Sequence, residues 1–221
     1  MPPRRQRHRA PTQPATATRE AESQLAAHRV RAGEADIVLV VAAEEAHESL
    51  DRAYRDLAFP TRPRKHRRAV SPVERPDSFR SVDGAIAFIV ESHTSAVARA
   101  AAPYASIGDA ASASVGRSGF CGAVSSVLRQ VHASDHVRRT PSGTWLDRAE
   151  QLGVRRARLE ASDDSLPDSR GELFSVAPCL AIAQALMSSV LPRKPFTSLC
   201  TDWTGNATAV NIEPAEAQRV T

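Results

Sequence analysis

The feature that most limits the fold is a segment dense in proline and arginine in the first half of the chain. Four prolines fall between residues 60 and 76, and the sequence RPRKHRR lies among them. Proline lacks a backbone N–H and fixes φ, so this density excludes a helix or a central strand. The pattern therefore predicts a basic, proline-rich linker at 59–80, with a domain boundary there.

Apolar periodicity predicts the elements on either side of this linker. The β-branched run DIVLVVA at 36–42 is typical of a strand, and a helical spacing of apolar residues follows at 44–58. The other predicted helices are 20–30, ending at Gly33; 83–102; 121–132; and a short one between Thr144 and Gly153. The predicted fold class is mainly α, with few strands. The predicted domains are a disordered basic arm (1–18), a small acidic strand-helix element (19–58), the linker (59–80), a helical domain (81–192) and an irregular tail (193–221).

Charge is distributed unevenly over the first eighty residues. The whole chain carries +4, but residues 1–33 carry +5, 34–57 carry −5 and 58–80 carry +5. Only two of the 29 basic side chains are lysines, which is typical of a GC-rich coding sequence and weakens any argument from arginine alone. Such an asymmetry predicts a charged partner for the N-terminal part.

Two arginine clusters suggest that this partner is nucleic acid. Guanidinium groups bind phosphate bidentately and release counterions, and no aromatic residue interrupts either cluster, so contact to the phosphate backbone with little base readout is expected. The predicted function is therefore a non-enzymatic, nucleic-acid-associated or regulatory protein. The residues predicted to contact RNA or DNA are Arg4, Arg5, Arg7, Arg9, Arg62, Arg64, Lys65, Arg67 and Arg68.

An alternative is based on Cys121, which lies at a predicted helix start among small residues. Such a position lowers a thiol pKa and suits a nucleophile. The sequence Gly119-Phe120-Cys121-Gly122, preceded by Pro103-Tyr104 and followed by Arg139-Thr140 and Gly171-Glu172-Leu173, resembles the NlpC/P60 cell-wall cysteine peptidases. The resemblance implies a cysteine hydrolase with a downstream histidine as general base. No histidine follows His136, so the general base is missing, and the residues flanking Cys121 differ from those of the family.

A second alternative is a membrane-associated interaction protein that uses Leu173–Leu191, nineteen residues without a charge. Proline, glutamine and serines within this run favour a buried core helix instead. His132 and His136 have i, i+4 spacing but lack the third ligand of a zinc site, and no glycine-rich phosphate loop follows the strand. We therefore predict no metal and no cofactor. With no apolar run behind the N-terminal charges, we expect an intracellular protein, cytoplasmic or nuclear, and not a secreted one.

Overall fold

The structure is a computed structural model, and it describes residues 18–49, 52, 82–139, 145–163, 176–187, 194–202 and 204–215. The helices with described bounds are α1 (Thr18–Arg31), α2 (His93–Ala98), α3 (Gly119–Gln130), α4 (Trp145–Arg156) and α5 (Ala177–Met187). The strands are β1 (Ile37–Glu44), β2 (Gly84–Glu91), β3 (Ala105–Ser114), β4 (His136–Arg139), β5 (Glu160–Asp163), β6 (Phe196–Thr201) and β7 (Asn206–Pro214).

Five of these strands form a mixed sheet in the order β3-β7-β6-β4-β5. β4 runs parallel to both β5 and β6, whereas β7 runs antiparallel to β6 and β3. The parallel neighbours are joined through helices, because a parallel connection needs a crossover: α4 leads from β4 to β5, and α5 leads from β5 to β6.

Helices cover both faces of this sheet. Ala207 and Ala209 of β7 are fully buried on the face that packs against α3 and α4, where Val124, Val127 and Leu128 form the centre of the core. Val210 and Ile212 point to the opposite face, because side chains alternate along a strand, and pack there against the second half of α5. The result is a three-layer α/β/α unit.

The remaining strands, β1 and β2, pair antiparallel as a separate two-stranded sheet. Its inner face, with Ala42, Ile86 and Phe88, packs against the first half of α5. α1 contacts strands of both sheets, and Arg31 of α1 donates to the carbonyl oxygens of Ile107 and Gly108 at the bulge of β3. α1 and α5 therefore connect the two sheets.

The predicted fold class, mainly α, is wrong. Residues 84–91 are strand β2 and not part of a helix over 83–102. Ile86, Ile89 and Val90 fit a helical spacing, but Ile86, Phe88 and Val90 also alternate, and pairing with β1 selects the strand. The short helix α2 starts only after Ser92, whose side chain accepts a hydrogen bond from the Ser95 N–H.

The predicted irregular tail at 193–221 is also wrong, because it contains β6 and β7, two central strands of the larger sheet. Polar residues in this stretch suggest loops. In the structure Thr197 is buried, its hydroxyl donates to Asn211 Oδ1, and Asn211 donates to the Val131 carbonyl oxygen. Buried polar groups with such partners are compatible with a central strand.

Other expectations from the sequence are confirmed. α1 ends just before Gly33, which has a φ of 70°. β1 includes residues 37–42 of the DIVLVVA run, and α3 includes residues 121–130 of the helix expected at 121–132. α5 is a buried core helix, and no helix in the described part of the chain is long and apolar enough to cross a membrane. α4 continues past Gly153, which is therefore not a helix stop. Residues 1–17, most of 44–58 and the linker 59–80 lie outside the described residues, and the domain division remains a prediction.

Candidate functional site

The topology of the larger sheet indicates where a ligand site would lie. The chain leaves β4 through α4 to reach β5 on one side, and returns through α5 to β6 on the other side of β4. The carboxyl ends of β4 and β6 therefore form a topological switch point, the place where open α/β sheets bind their ligands. The residues that end these strands are Arg139 and Thr201.

A buried ion pair fills this switch point. Arg139 is 1% exposed, and its Nη1 lies 3.1 Å from Glu150 Oε2 and donates to the Asp147 carbonyl oxygen at 2.9 Å. Glu150 extends from α4 and is 5% exposed. The Thr201 hydroxyl donates to Glu150 Oε1 at 2.5 Å. The crevice expected between β4 and β6 thus holds a charge pair that joins β4, α4 and β6.

The turn from β6 to β7 lies at the same edge. The buried Asp202 carboxylate accepts hydrogen bonds from the Thr204 hydroxyl at 2.7 Å and from the Asn206 backbone N–H at 2.9 Å. Gly205 takes a φ of 96°, and its carbonyl oxygen accepts from the Val115 N–H at 2.6 Å. Carboxylate and backbone hydrogen bonds therefore fix this turn beside the start of α3.

Cys121 lies in the first turn of α3 and is partly exposed. α3 is continuous to Gln130, and His132 follows it with a φ of 47°. A rise of 1.5 Å per residue places His132 about 16 Å along the axis from Cys121, too far to exchange a proton directly. The structure therefore does not bring His132 to Cys121 as a general base, and the catalytic role of Cys121 remains a prediction without a base.

The other candidate residues are not brought together. His132 follows α3 and His136 begins β4, so their i, i+4 spacing does not lie on one helix. Among the described residues, no group of three or more histidine, cysteine, aspartate or glutamate side chains could hold a metal ion. The two arginine clusters at 4–9 and 62–68 lie outside the described residues.

Sequence reasoning missed Arg139, Glu150 and Thr201 as members of one site. HVRR has no apolar alternation that would mark β4 as a strand, and the irregular tail assigned to 193–221 hid β6. The only available signal was the pair of arginines in HVRR, because an arginine that becomes buried in a strand requires a partner for its charge. Only the parallel pairing of β4 with β6 identifies that partner.

Comparison with known proteins assigns the fold. No protein-family model matches the chain, and no curated protein does. Solved structures do match. The ishigamide ketosynthase/chain length factor aligns with a TM-score of 0.71 and 14% identity, covering 91% of this chain and 60% of that one. A β-ketoacyl synthase from Burkholderia phymatum aligns with a TM-score of 0.69 and 16% identity, again covering 91% and 60%.

A third match is AntDE:AntF, described as a type II PKS acyl-carrier protein in complex with its ketosynthase bound to the hexaketide. It aligns with a TM-score of 0.69 and 17% identity, covering 91% of this chain and 62% of that one. At these identities the likeness shows a ketosynthase-like α/β fold. The chain spans about three fifths of the length of these proteins.

These matches overturn the predicted nucleic-acid-associated function. The interpretation depended on arginine clusters, but arginine is frequent well beyond these clusters, since 27 of the 29 basic side chains are arginines. The described residues instead form a ketosynthase-like α/β fold, and the assignments to RNA binding and to a mainly α protein are wrong. The membrane-associated alternative is not supported either, because α5 is a core helix.

Proposed function

We propose that the chain is a ketosynthase-fold subunit of a system that elongates acyl chains, of the polyketide or fatty-acid type, and that it works together with a partner. The observation that carries the proposal is the alignment of 91% of the chain with a ketosynthase/chain length factor at a TM-score of 0.71. The substrate class would be acyl thioesters held on an acyl-carrier protein, since one of the matched ketosynthases is bound to such a protein.

The switch point between β4 and β6 is filled by the Arg139–Glu150 ion pair, and this supports a role that depends on a partner. Nucleophilic and acid–base catalysis require a nucleophile within hydrogen-bond reach of a base. At the described carboxyl edge of the sheet, Arg139, Glu150 and Thr201 bond to one another, and Asp202 bonds within its own turn. These groups hold the strand ends in place. We therefore expect the partner to supply the catalytic nucleophile, while this chain contributes a wall of the shared acyl-binding space.

Deletion of the coding sequence in the cells that make the protein tests the proposal. Acyl products and carrier-protein-bound intermediates are profiled by liquid chromatography and mass spectrometry, and the deletion is complemented with the wild-type gene. Loss of a product, or a change in its chain length that complementation reverses, is the expected result. An unchanged profile under conditions in which the protein is expressed would exclude the function.

A biochemical experiment tests the dependence on a partner. The purified chain is incubated with acyl-carrier-protein thioesters, and its intact mass is measured. We expect no mass increase from acylation of Cys121. The Cys121→Ala variant should likewise show no mass increase after the incubation. A stable acyl group on Cys121 would contradict the partner-dependent role and identify the chain itself as the acyl acceptor. A cytoplasmic location, expected from the sequence, is part of this proposal and is checked by cell fractionation.

A further inference from the structure

Three polar side chains without an assigned role line one stripe of α3. Ser118 is the residue before the helix, Cys121 lies in its first turn, and Ser125 lies one turn further along. Residues three and four positions apart are neighbours on a helix surface, so Cys121 has a serine on either side of it. None of the three takes part in the Arg139–Glu150 ion pair.

The hydroxyl of Ser125 is the unusual member of this stripe. Ser125 is 0% exposed, and in the part of the chain that the structure describes its Oγ is the buried side-chain polar atom without a hydrogen-bond partner. A serine inside a helix commonly donates to the carbonyl oxygen four residues earlier, here that of Cys121, but this bond is not formed. Buried polar groups almost always have a partner, so the Ser125 hydroxyl is a candidate donor for a group attached to Cys121.

The geometry of a helix directs this hydroxyl toward Cys121. Each Cα–Cβ bond tilts toward the helix N-terminus, so a side chain covers the turn that precedes its own Cα. For Ser125 that turn contains Cys121, four residues earlier on the same face. Cys121 is partly exposed, whereas Ser125 is fully buried, so a small molecule can reach the sulfur from solvent while the hydroxyl lies on its inner side.

The start of α3 is favourable for negative charge. The Ser118 side chain makes no capping hydrogen bond and lies against Gly122, where an added Cβ would collide with it. The first turn of α3 contains no acidic residue, and the exposed Arg117 precedes the helix by two residues. Free N–H groups at a helix N-terminus stabilise an anion in the first turn, which is where Cys121 lies.

The other two cysteines have different surroundings. Cys179 is 2% exposed and lies in the core beside the β1–β2 sheet. Cys200 is partly exposed, but it lies on β6, and its thiol donates to the Thr201 carbonyl oxygen at 3.8 Å. Among the three cysteines, Cys121 alone combines access from solvent, a helix N-terminus and a neighbouring unpaired hydroxyl.

We propose that Cys121 is a site of oxidation to sulfenic acid by hydrogen peroxide, and that the Ser125 hydroxyl stabilises the product. The Cys121 thiolate attacks one peroxide oxygen: the S–O bond forms, the O–O bond breaks, and the departing hydroxide takes up a proton to become water. The sulfur is oxidised and the peroxide is reduced. Rotation about the Cβ–Sγ bond then lets the new oxygen accept a hydrogen bond from Ser125. Because the thiolate is itself the nucleophile, the reaction does not require His132 as a base, and the proposal is independent of the proposed function.

Trapping of the sulfenic acid in the purified full chain tests the site. The protein is treated with hydrogen peroxide in the presence of dimedone, which labels sulfenic acids, and mass spectrometry of the digested chain gives the labelled fraction of each cysteine. We expect Cys121 to be labelled well ahead of Cys179 and Cys200, and the three to be labelled alike in concentrated urea. Labelling of Cys200 that equals or exceeds that of Cys121 in the folded chain, or no label on Cys121, would overturn the proposal.

The Ser125→Ala variant tests the role of the hydroxyl. Adding dimedone at increasing times after the peroxide measures the lifetime of the Cys121 sulfenic acid, which should fall about fivefold in Ser125→Ala because one hydrogen bond of ordinary strength is lost. Ser126→Ala is the matched control and should leave the lifetime unchanged, since the Ser126 hydroxyl already accepts a hydrogen bond from Gln130 Nε2 at 3.0 Å. An unchanged lifetime in Ser125→Ala, or an equal loss in Ser126→Ala, would refute the role of Ser125. If Ser125→Ala fails to fold, the comparison of the three cysteines in the wild-type chain still decides.

Discussion

The β1–β2 and β6–β7 pairs have the same local arrangement but different surroundings. Each is antiparallel and follows a helix that contacts both sheets. However, β6–β7 lies at the centre of five strands, whereas in the described part of the chain β1 and β2 pair only with each other. Ala207 and Ala209 of β7 are fully buried, whereas Leu39 and Ile89 are more than half exposed. Both pairs have apolar strand sequences, but their side chains differ in exposure. The comparison therefore shows that the burial of an apolar strand depends on the strands and helices packed around it, and not on its own sequence alone.

Disruption of the buried ion pair of the larger sheet should have the largest effect. Glu150→Ala leaves the Arg139 guanidinium, 1% exposed, without its carboxylate, and removing one partner of a buried pair costs about 3–5 kcal/mol of unfolding free energy. The double variant Arg139→Met with Glu150→Leu should recover most of this loss, because neither charge of the pair then remains buried. Urea unfolding measures both. If the double variant is no more stable than Glu150→Ala, the loss does not come from the unpaired charge.

Leucine truncation compares the two strand pairs directly. Leu199 of β6 is 1% exposed, so Leu199→Ala should lower the free energy of unfolding of the isolated chain by about 2–5 kcal/mol. Leu39→Ala on β1 removes the same atoms from a surface and should change it by no more than about 0.5 kcal/mol. Equal losses in urea unfolding would show that the outer face of β1 is already covered within the chain.

The sequence predicts local elements of this fold better than its sheets. DIVLVVA, the helix ending at Gly33 and the apolar period of α3 each depend on neighbours in the chain, and each prediction is confirmed. β2 was not predicted because its apolar residues fit both a helical and a strand period, and the choice between them depends on pairing with β1, forty or more residues away. Strand pairing over such distances cannot be detected from periodicity within a short stretch of sequence.

The candidate site was harder to predict than the fold. Arg139, Glu150 and Thr201 are separated by 11 and 51 residues along the chain and meet only through the crossover at the switch point. Sequence reasoning instead selected the arginine clusters and Cys121, because their patterns can be recognised from neighbouring residues alone. The chemistry of this edge depends on which strands are neighbours, and that information is carried by the topology of the sheet.

Gly153 offers a smaller perturbation, confined to the packing of the larger unit. A Cβ at this position would lie 2.5 Å from Val124 Cβ and 3.1 Å from the Cys121 carbonyl oxygen, where α4 approaches α3. Gly153→Ala should therefore destabilise by about 1–3 kcal/mol, although the same change in an open helix stabilises by up to about 1 kcal/mol. Gly116→Ala, with no atom within 4 Å, is the matched control and should be nearly neutral. Higher stability of Gly153→Ala in thermal unfolding would contradict close helix contact here.

The smallest effect is expected at the ion pair beside the two-stranded sheet. Arg99, at the end of α2, donates through Nε and Nη2 to the Glu91 carboxylate at the end of β2, and this hydrogen bond is the main cause that lowers the pKa of Glu91. A lowered folded-state pKa means that the pair stabilises the protein above the usual glutamate pKa. This contribution disappears as pH falls through the lowered value. Because solvent and salt screen the pair, its contribution should be far smaller than that of Arg139–Glu150. Wild type should therefore exceed Glu91→Gln slightly in urea midpoint at neutral pH and low salt, and the difference should vanish in acid and in high salt. A difference that persists in acid would show that Glu91 stabilises β2 through packing and not through its charge.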